Sequence, residues 1–210
     1  MSNIGMAGQG QNAQNPNGGI WQGTEGPNVF TFQNSAGTGI ILIIWSVQGS
    51  ADYEASFMNA RPPQISLSIA NGQSVSISIA NSVSGGWAGL YDDQTTLSEW
   101  GQINNTWGEF TTGSSATVDV SREINMSGHP MHIELDSGCI SDLETCVFQC
   151  KDGSNTCWEA GTYELANCVP AEEGGQPGAA NGSNYGQPSG GCQGFENGGH
   201  INVTFSSLGG

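Results

Sequence analysis

Strict alternation of apolar and polar residues, repeated along the chain, constrains this sequence more than any other feature. In Thr117-Val-Asp-Val-Ser121, Val118 and Val120 alternate with Thr117, Asp119 and Ser121; in Met131-His-Ile-Glu-Leu135, Met131, Ile133 and Leu135 alternate with His132 and Glu134. A period of two marks half-buried strands, because successive side chains point to opposite faces of a sheet. On this reading Asp119, His132 and Glu134 share one solvent-facing surface. Gln64 to Ala70 and Gln73 to Ala80 alternate equally strictly around Asn71-Gly72, a dipeptide suited to a two-residue type I′ turn, and predict a β-hairpin. Ser66, Ser68, Ser76 and Ser78 would form a hydroxyl ladder on its solvated face. Val29 to Phe32 and Ile40 to Val47 predict two more strands paired with each other. The second is a core strand, since its eight residues are too few to cross a bilayer as a helix.

The cysteines divide the chain. Cys139, Cys146, Cys150, Cys157, Cys168 and Cys192 all lie in its last third. An even number in a chain with one lysine predicts disulfides of an oxidising compartment, with the pairing left open. No C-x2-C pair supports zinc. Alternation returns in His200 to Phe205. The resulting expectation is an all-β, antiparallel β-sandwich with a loop-rich, disulfide-stapled lobe inserted before the last strand. Its boundaries are an irregular, Gly-, Gln- and Asn-rich segment at 1–26, a sandwich core at 27–137 and 198–210, and a Cys-rich lobe at 138–197. Met1 to Gly19 contains no apolar leader core, so the chain reads as a mature secreted form of the extracellular space or cell wall. Sequons at Asn104, Asn125, Asn181 and Asn202 accord with that.

Charge narrows the partners. Arg61, Arg122 and Lys151 stand against 19 acids, for a net charge of -16. So few cations cannot neutralise phosphates or anionic lipid, so neither nucleic acid nor a membrane surface is an expected partner. Trp87, Trp100 and Trp107 are interleaved with Asp92, Asp93, Glu99 and Glu109. Indoles stack on the C–H faces of sugars and carboxylates accept hydroxyl protons, so this pattern points to a neutral polysaccharide.

Glycoside hydrolysis needs one protonated and one ionised carboxyl, about 5–5.5 Å or about 6.5–9.5 Å apart. The catalytic candidates are Glu109 as the acid, between Trp107 and Phe110, and Asp119 as the nucleophile or base, between Thr117 and Ser121. Ligand-binding candidates are Trp87, Asp92, Asp93, Trp107, Glu123 and Glu134. No nucleophile elbow positions a serine, and His129, His132 and Glu134 make only a loose metal set, so neither a cofactor nor a metal is expected.

The succession Gly72-Gln-Ser-Val75, Gly85-Gly-Trp-Ala-Gly89, Glu109-Phe-Thr-Thr112, Val118-Asp-Val-Ser121, Pro130-Met131, a cysteine-rich insert and Asn202-Val-Thr-Phe205 resembles the thaumatin-like (osmotin) proteins. The resemblance implies a secreted protein with an acidic cleft that binds, or slowly cleaves, cell-wall β-1,3-glucan, and departures from the family pattern make the chain a divergent, microbial or fungal, relative. Glu109 and Asp119 match the family's cleft acids, and Glu123 matches loosely. The chain departs from that pattern in having fewer cysteines and in carrying Leu90-Tyr-Asp-Asp93 where the family has an arginine-containing continuation. The competing class is an acidic structural or effector-like surface protein that binds another protein and no sugar.

Overall fold

The computed structural model describes all residues except Gly18, Ser50, Ala51, Tyr53, Asp93 and Gly210. Two sheets face each other across one apolar interior. The first contains, in chain order, β1 (Ile20–Gln22), β2 (Asn28–Ser35), β5 (Ser74–Ile79), β9 (Met131–Leu135), β10 (Ile140–Ser141) and β15 (Gly199–Ser206). The second contains β3 (Ile40–Val47), β4 (Ile65–Ile69), β6 (Ser84–Tyr91), β7 (Trp107–Thr111), β8 (Thr117–Ser121), β11 (Val147–Cys150) and β12 (Tyr163–Ala166), with the hairpin of β13 (Ala179–Asn184) and β14 (Gln187–Cys192) joined to β8. Across the sheets the orders are β1-β5-β2-β15-β9-β10 and β12-β11-β8-β7-β6-β3-β4. The architecture is all-β and largely antiparallel, with the disulfide-rich segment beside the C-terminal strands. The exceptions are parallel: β15 beside β2, and β11 beside β8.

Trp87 fills the centre of the interior. Its indole lies 5.6 Å from Phe30, 5.4 Å from Phe32 and 6.0 Å from Phe110, ring centre to ring centre. The ring fits because its cross-strand partner is Gly108, where an added Cβ would fall 2.0 Å from the indole. Gly108→Ala is expected to cost about 1–3 kcal/mol by overpacking, whereas Gly39→Ala, with open space around it, should be near neutral. Thermal melts of the two variants check this, and equal melting temperatures would refute it.

The second sheet is covered on its outer face as well, which accounts for the nearly unbroken apolar run of β3. Ile40, Leu42 and Ile44 face the interior, while Ile43 and Trp45 join Met6, Met58, Ala88, Leu90, Ile103, Trp107 and Ile124 in an outer cluster. The N-terminal segment provides part of that cover and seals the edge strand β4. Asn12 accepts the Ser66 N–H at 2.7 Å and donates to the Ser66 carbonyl at 3.1 Å, standing in for the missing neighbouring strand. Regular pairing also begins earlier than Asn28, since Ile20 and Trp21 pair with β5.

The expected hairpin around Asn71-Gly72 does not form. β4 pairs with β3 in one sheet and β5 with β1 and β2 in the other, so the turn carries the chain across the sandwich. Gly72 has φ +77° while Asn71 is not among the positive-φ residues, so the turn is not of the I′ type. Asn34 fixes the crossing by donating to the Ile69 carbonyl at 2.8 Å and accepting the Gly72 N–H on its own carbonyl at 2.7 Å. The expected serine ladder is broken as a result: Ser66 and Ser68 lie on one sheet and Ser76 on the other, while Ser78 is fully buried and accepts the Gly26 N–H at 3.0 Å. β2 and β3 also lie in different sheets rather than pairing.

The cysteines pair as Cys139–Cys192, Cys146–Cys168 and Cys150–Cys157. The first joins the margin of one sheet to β14 of the other. The remaining two close the ends of the β11–β12 ladder and the loop that follows β11.

Candidate functional site: a buried acid cluster

On β7 and β8 the inner positions are Gly108, Phe110, Val118 and Val120. The outer positions form three cross-strand pairs: Trp107 with Ser121, Glu109 with Asp119, and Thr111 with Thr117. Directly opposed residues have Cβ atoms about 4.5–5.5 Å apart, so the two carboxyls are immediate neighbours. Gly86 stands beside Glu109 on β6, and Trp45 packs over it, edge-on to Trp107 at 4.8 Å. Glu123 follows just past the end of β8. Its carbonyl accepts the Cys157 N–H at 2.7 Å, which ties the disulfide loop to the acids. On the other flank the Thr117 hydroxyl donates to the Gly190 carbonyl at 2.9 Å. Gly191 is where β14 closes on the acids, since a Cβ there would meet the Cβ of Asp119 at 3.2 Å and the Val118 carbonyl at 2.9 Å.

No cation answers these charges. Arg122, the nearest in sequence, donates instead to the carbonyls of Leu143 and Met126. The ion pairs among the described residues are Arg61–Asp52 and His132–Asp142, neither of which involves the cluster. Asp119 is 4% exposed, and its Oδ1 has no hydrogen-bond partner. Burial, then the charges of Glu109 and Glu123, hold its carboxyl well above the usual range. Burial also raises Glu109, opposed by a hydrogen bond from Ser121. Glu123, half-buried, is pushed up to about 8 by burial and by the charge of Glu109. The Tyr163 hydroxyl is raised by burial and then by Glu123 and Glu109, which puts it within reach of their charges. Near neutral pH the cluster therefore retains protons that ordinary carboxyls have lost. The Ser121 hydrogen bond works against the rise at Glu109, a counterweight that neither Asp119 nor Glu123 has. Among the described residues no set of three His, Cys, Asp or Glu side chains is disposed to hold a metal ion.

These raised acids set a pH dependence of stability. A group that holds its proton more tightly when folded stabilises fully below its unfolded pKa, and that contribution is lost as pH rises through the folded value. For Glu123 the window runs from about 4.3, the usual unfolded value, to about 8. The wild-type melting temperature should fall across this window, and Glu123→Gln should flatten the fall. A variant whose curve stays parallel to the wild type would refute the burial argument.

The remaining site expectations fare unevenly. Trp87 is fully buried in the interior and cannot stack on a ligand. Trp107 is 6% exposed and donates its indole N–H to the Ile103 carbonyl, so it is packed into the outer cluster beside Glu109 and offers no free face to a ligand. Asp92 is exposed at the end of β6, beside Ile4 and Thr95 in a different depression. Asp93 lies outside the described residues. Glu134 and His132 project from β9, in the other sheet, so the solvent-facing surface they were expected to share with Asp119 does not exist: the two lie on opposite sides of the molecule. Asp119, expected to be ionised, is instead the most deeply buried of the three acids. Tyr163 was not anticipated, because nothing in local sequence connects the Cys-rich segment to β8.

The two-sheet fold and its disulfides are those of a disulfide-stabilised β-sandwich protein. The chain belongs to the Allergen Asp f 4-like domain family, a fungal allergen family, whose model matches residues 25–162. That stretch runs from just before β2 to just before Tyr163 and includes Glu109, Asp119 and Glu123. The disulfides with this family assignment support a secreted, extracellular-type protein. The family is distinct from the thaumatin-like proteins, so that resemblance is corrected, and the carbohydrate-binding identity it implied loses that support. No curated protein matches the chain. Among the described residues no helix is long and apolar enough to cross a membrane.

Proposed function

We propose that the acid cluster is a glycan site, where a neutral polysaccharide chain, a β-glucan of the cell wall, is bound and slowly hydrolysed. The observation that carries this reading is the convergence of three carboxyls, without a cation, on one face where they cannot all ionise at neutral pH. Groups whose environments push their protonation apart are what acid–base cleavage of a glycosidic bond requires. Glu123, still protonated up to about pH 8, gives its proton to the glycosidic oxygen as the C–O bond breaks. Glu109, ionised and supported by Ser121, acts at the anomeric carbon as base or nucleophile. Where Glu109 is the nucleophile, water cleaves the glycosyl ester, giving its hydroxyl to the new reducing end and its proton to Glu123; where Glu109 is the base, it takes the proton of the attacking water, which then passes to Glu123. Asp119, beneath them, keeps its proton and limits the negative charge of the cluster. The net charge of -16 favours an uncharged polymer over an anionic one.

The test is release of reducing ends from soluble β-1,3-glucan, with a polyanionic glycan as comparator. Turnover of the neutral polymer alone is expected. Binding without turnover would remove the hydrolytic half of the reading. A failure to bind either polymer, together with capture of a protein partner, would favour the acidic interaction protein.

A further inference from the structure

Two indoles stand in water on the walls of one groove. Trp100 is 53% exposed and Trp158 63%. They flank a depression of about 450 Å³ whose floor includes Ser98, Gln102, Asn104 and Ile124. Trp100 is carried on a braced turn and Trp158 on a braced loop. The turn of Trp100 is closed by the Gly101 N–H donating to the Ser98 carbonyl at 3.0 Å. Trp158 follows Cys157, which is bonded to Cys150 and donates its N–H to the Glu123 carbonyl. The Thr156 hydroxyl donates to the Ile124 carbonyl at 3.1 Å, which fixes the same loop a second time.

The chemistry of the groove selects its occupant. Its walls are flat and apolar, its floor is neutral amide and hydroxyl, and no cation lines it. Alternating C–H faces and equatorial hydroxyls match such a surface, whereas an anionic chain would meet Glu99 and the acidic whole. Ile124 follows Glu123 in the chain and Trp158 follows Cys157, whose N–H donates to the Glu123 carbonyl, so the groove runs past the backbone of Glu123, although none of the three acids lines it. We propose that Trp100 and Trp158 form a stacking site for sugar rings of a neutral β-linked glucan whose chain continues to the acid cluster, a site that takes its ligand class from the reading above.

The experiment is titration of the disulfide-intact full chain with soluble β-1,3-glucan, followed by calorimetry and indole fluorescence. The protein is made without N-glycans, because Asn104 lies in the groove within a sequon. Trp100→Ala and Trp158→Ala should each weaken binding by about tenfold with unchanged melting temperature. Tyr185→Ala, which removes a 99% exposed ring outside the groove, should bind like the wild type. Wild-type affinity in both tryptophan variants, or no binding by the wild type, overturns the proposal. Cleavage of glucan with a KM insensitive to both substitutions sinks the stacking site and spares the acid cluster. Tryptophan-dependent binding without release of reducing ends does the reverse.

Discussion

Glu109→Gln is expected to lower the rate of glucan hydrolysis by about 10²–10⁴-fold, the usual contribution of a positioned acid or base, with little change in KM. The amide keeps the shape of the side chain and its place opposite Asp119 but cannot carry the negative charge. Glu123→Gln should cost a similar factor and also abolish the alkaline limb of the pH–rate profile, which in the wild type falls as pH passes about 8. Asp119→Asn separates two assignments. If Asp119 were the nucleophile or base, as its place in the sequence suggests, this change would be as damaging as Glu109→Gln. If Asp119 remains protonated, an amide preserves a donor in the same position and the loss should stay within about tenfold, the scale of one hydrogen bond. Equal and complete loss at 109 and 119 would overturn the roles drawn from burial.

Removing the Cys139–Cys192 bridge should be the most damaging change to stability. It closes 53 residues, for which chain entropy alone corresponds to about 4 kcal/mol, against about 2 kcal/mol for the seven-residue separation of Cys150–Cys157. At about 2–4 °C per kcal/mol for a chain of this size, the double alanine variant at 139 and 192 should melt roughly 8–16 °C lower. The corresponding variant at 150 and 157 should lose about half as much. Both sulfurs of the long bridge are fully buried between the sheets, so its loss also leaves a void. Equal losses for the two bridges would show that loop length is not what matters here.

The strands themselves were legible because alternation reports which face of a sheet each side chain takes, although at β8 both faces turn out to be covered. Thr117 to Ser121 and Met131 to Leu135 are β8 and β9 almost to the residue. Alternation carries no information about partners, however. Residues 65–69 and 74–79 have the pattern of a hairpin, and the same pattern serves two strands that face each other across a core. The outcome was decided at a distance, by Asn34 reaching the turn and by the long ladder that β2 offers to β5. The site was legible to the same depth. Glu109 and Asp119 could be named from local context, but their protonation depends on the outer cover of the second sheet. Around the acids that cover comes from Trp45, from Gly191 of β14 and from Tyr163 of the Cys-rich excursion, and farther out from the loops carrying Met58, Ile103 and Ile124, contacts that no local alternation announces. Trp87 was misplaced for a related reason, since an indole beside glycines reads equally well as a stacking platform or as a ring using the space glycine leaves.

The position of β15 bears on when this chain can fold. The last of the described strands does not add to an edge; it lies between β2 and β9 and pairs Asn28 with Gly199 at one end and Ser35 with Ser206 at the other. Until it docks, β2 and β9 have nothing to join them, and the first sheet is two fragments with open edges. The first sheet is therefore completed only when residues 199–206 join residues 28–35 and 131–135, and until that long-range closure its open edges are free to pair elsewhere.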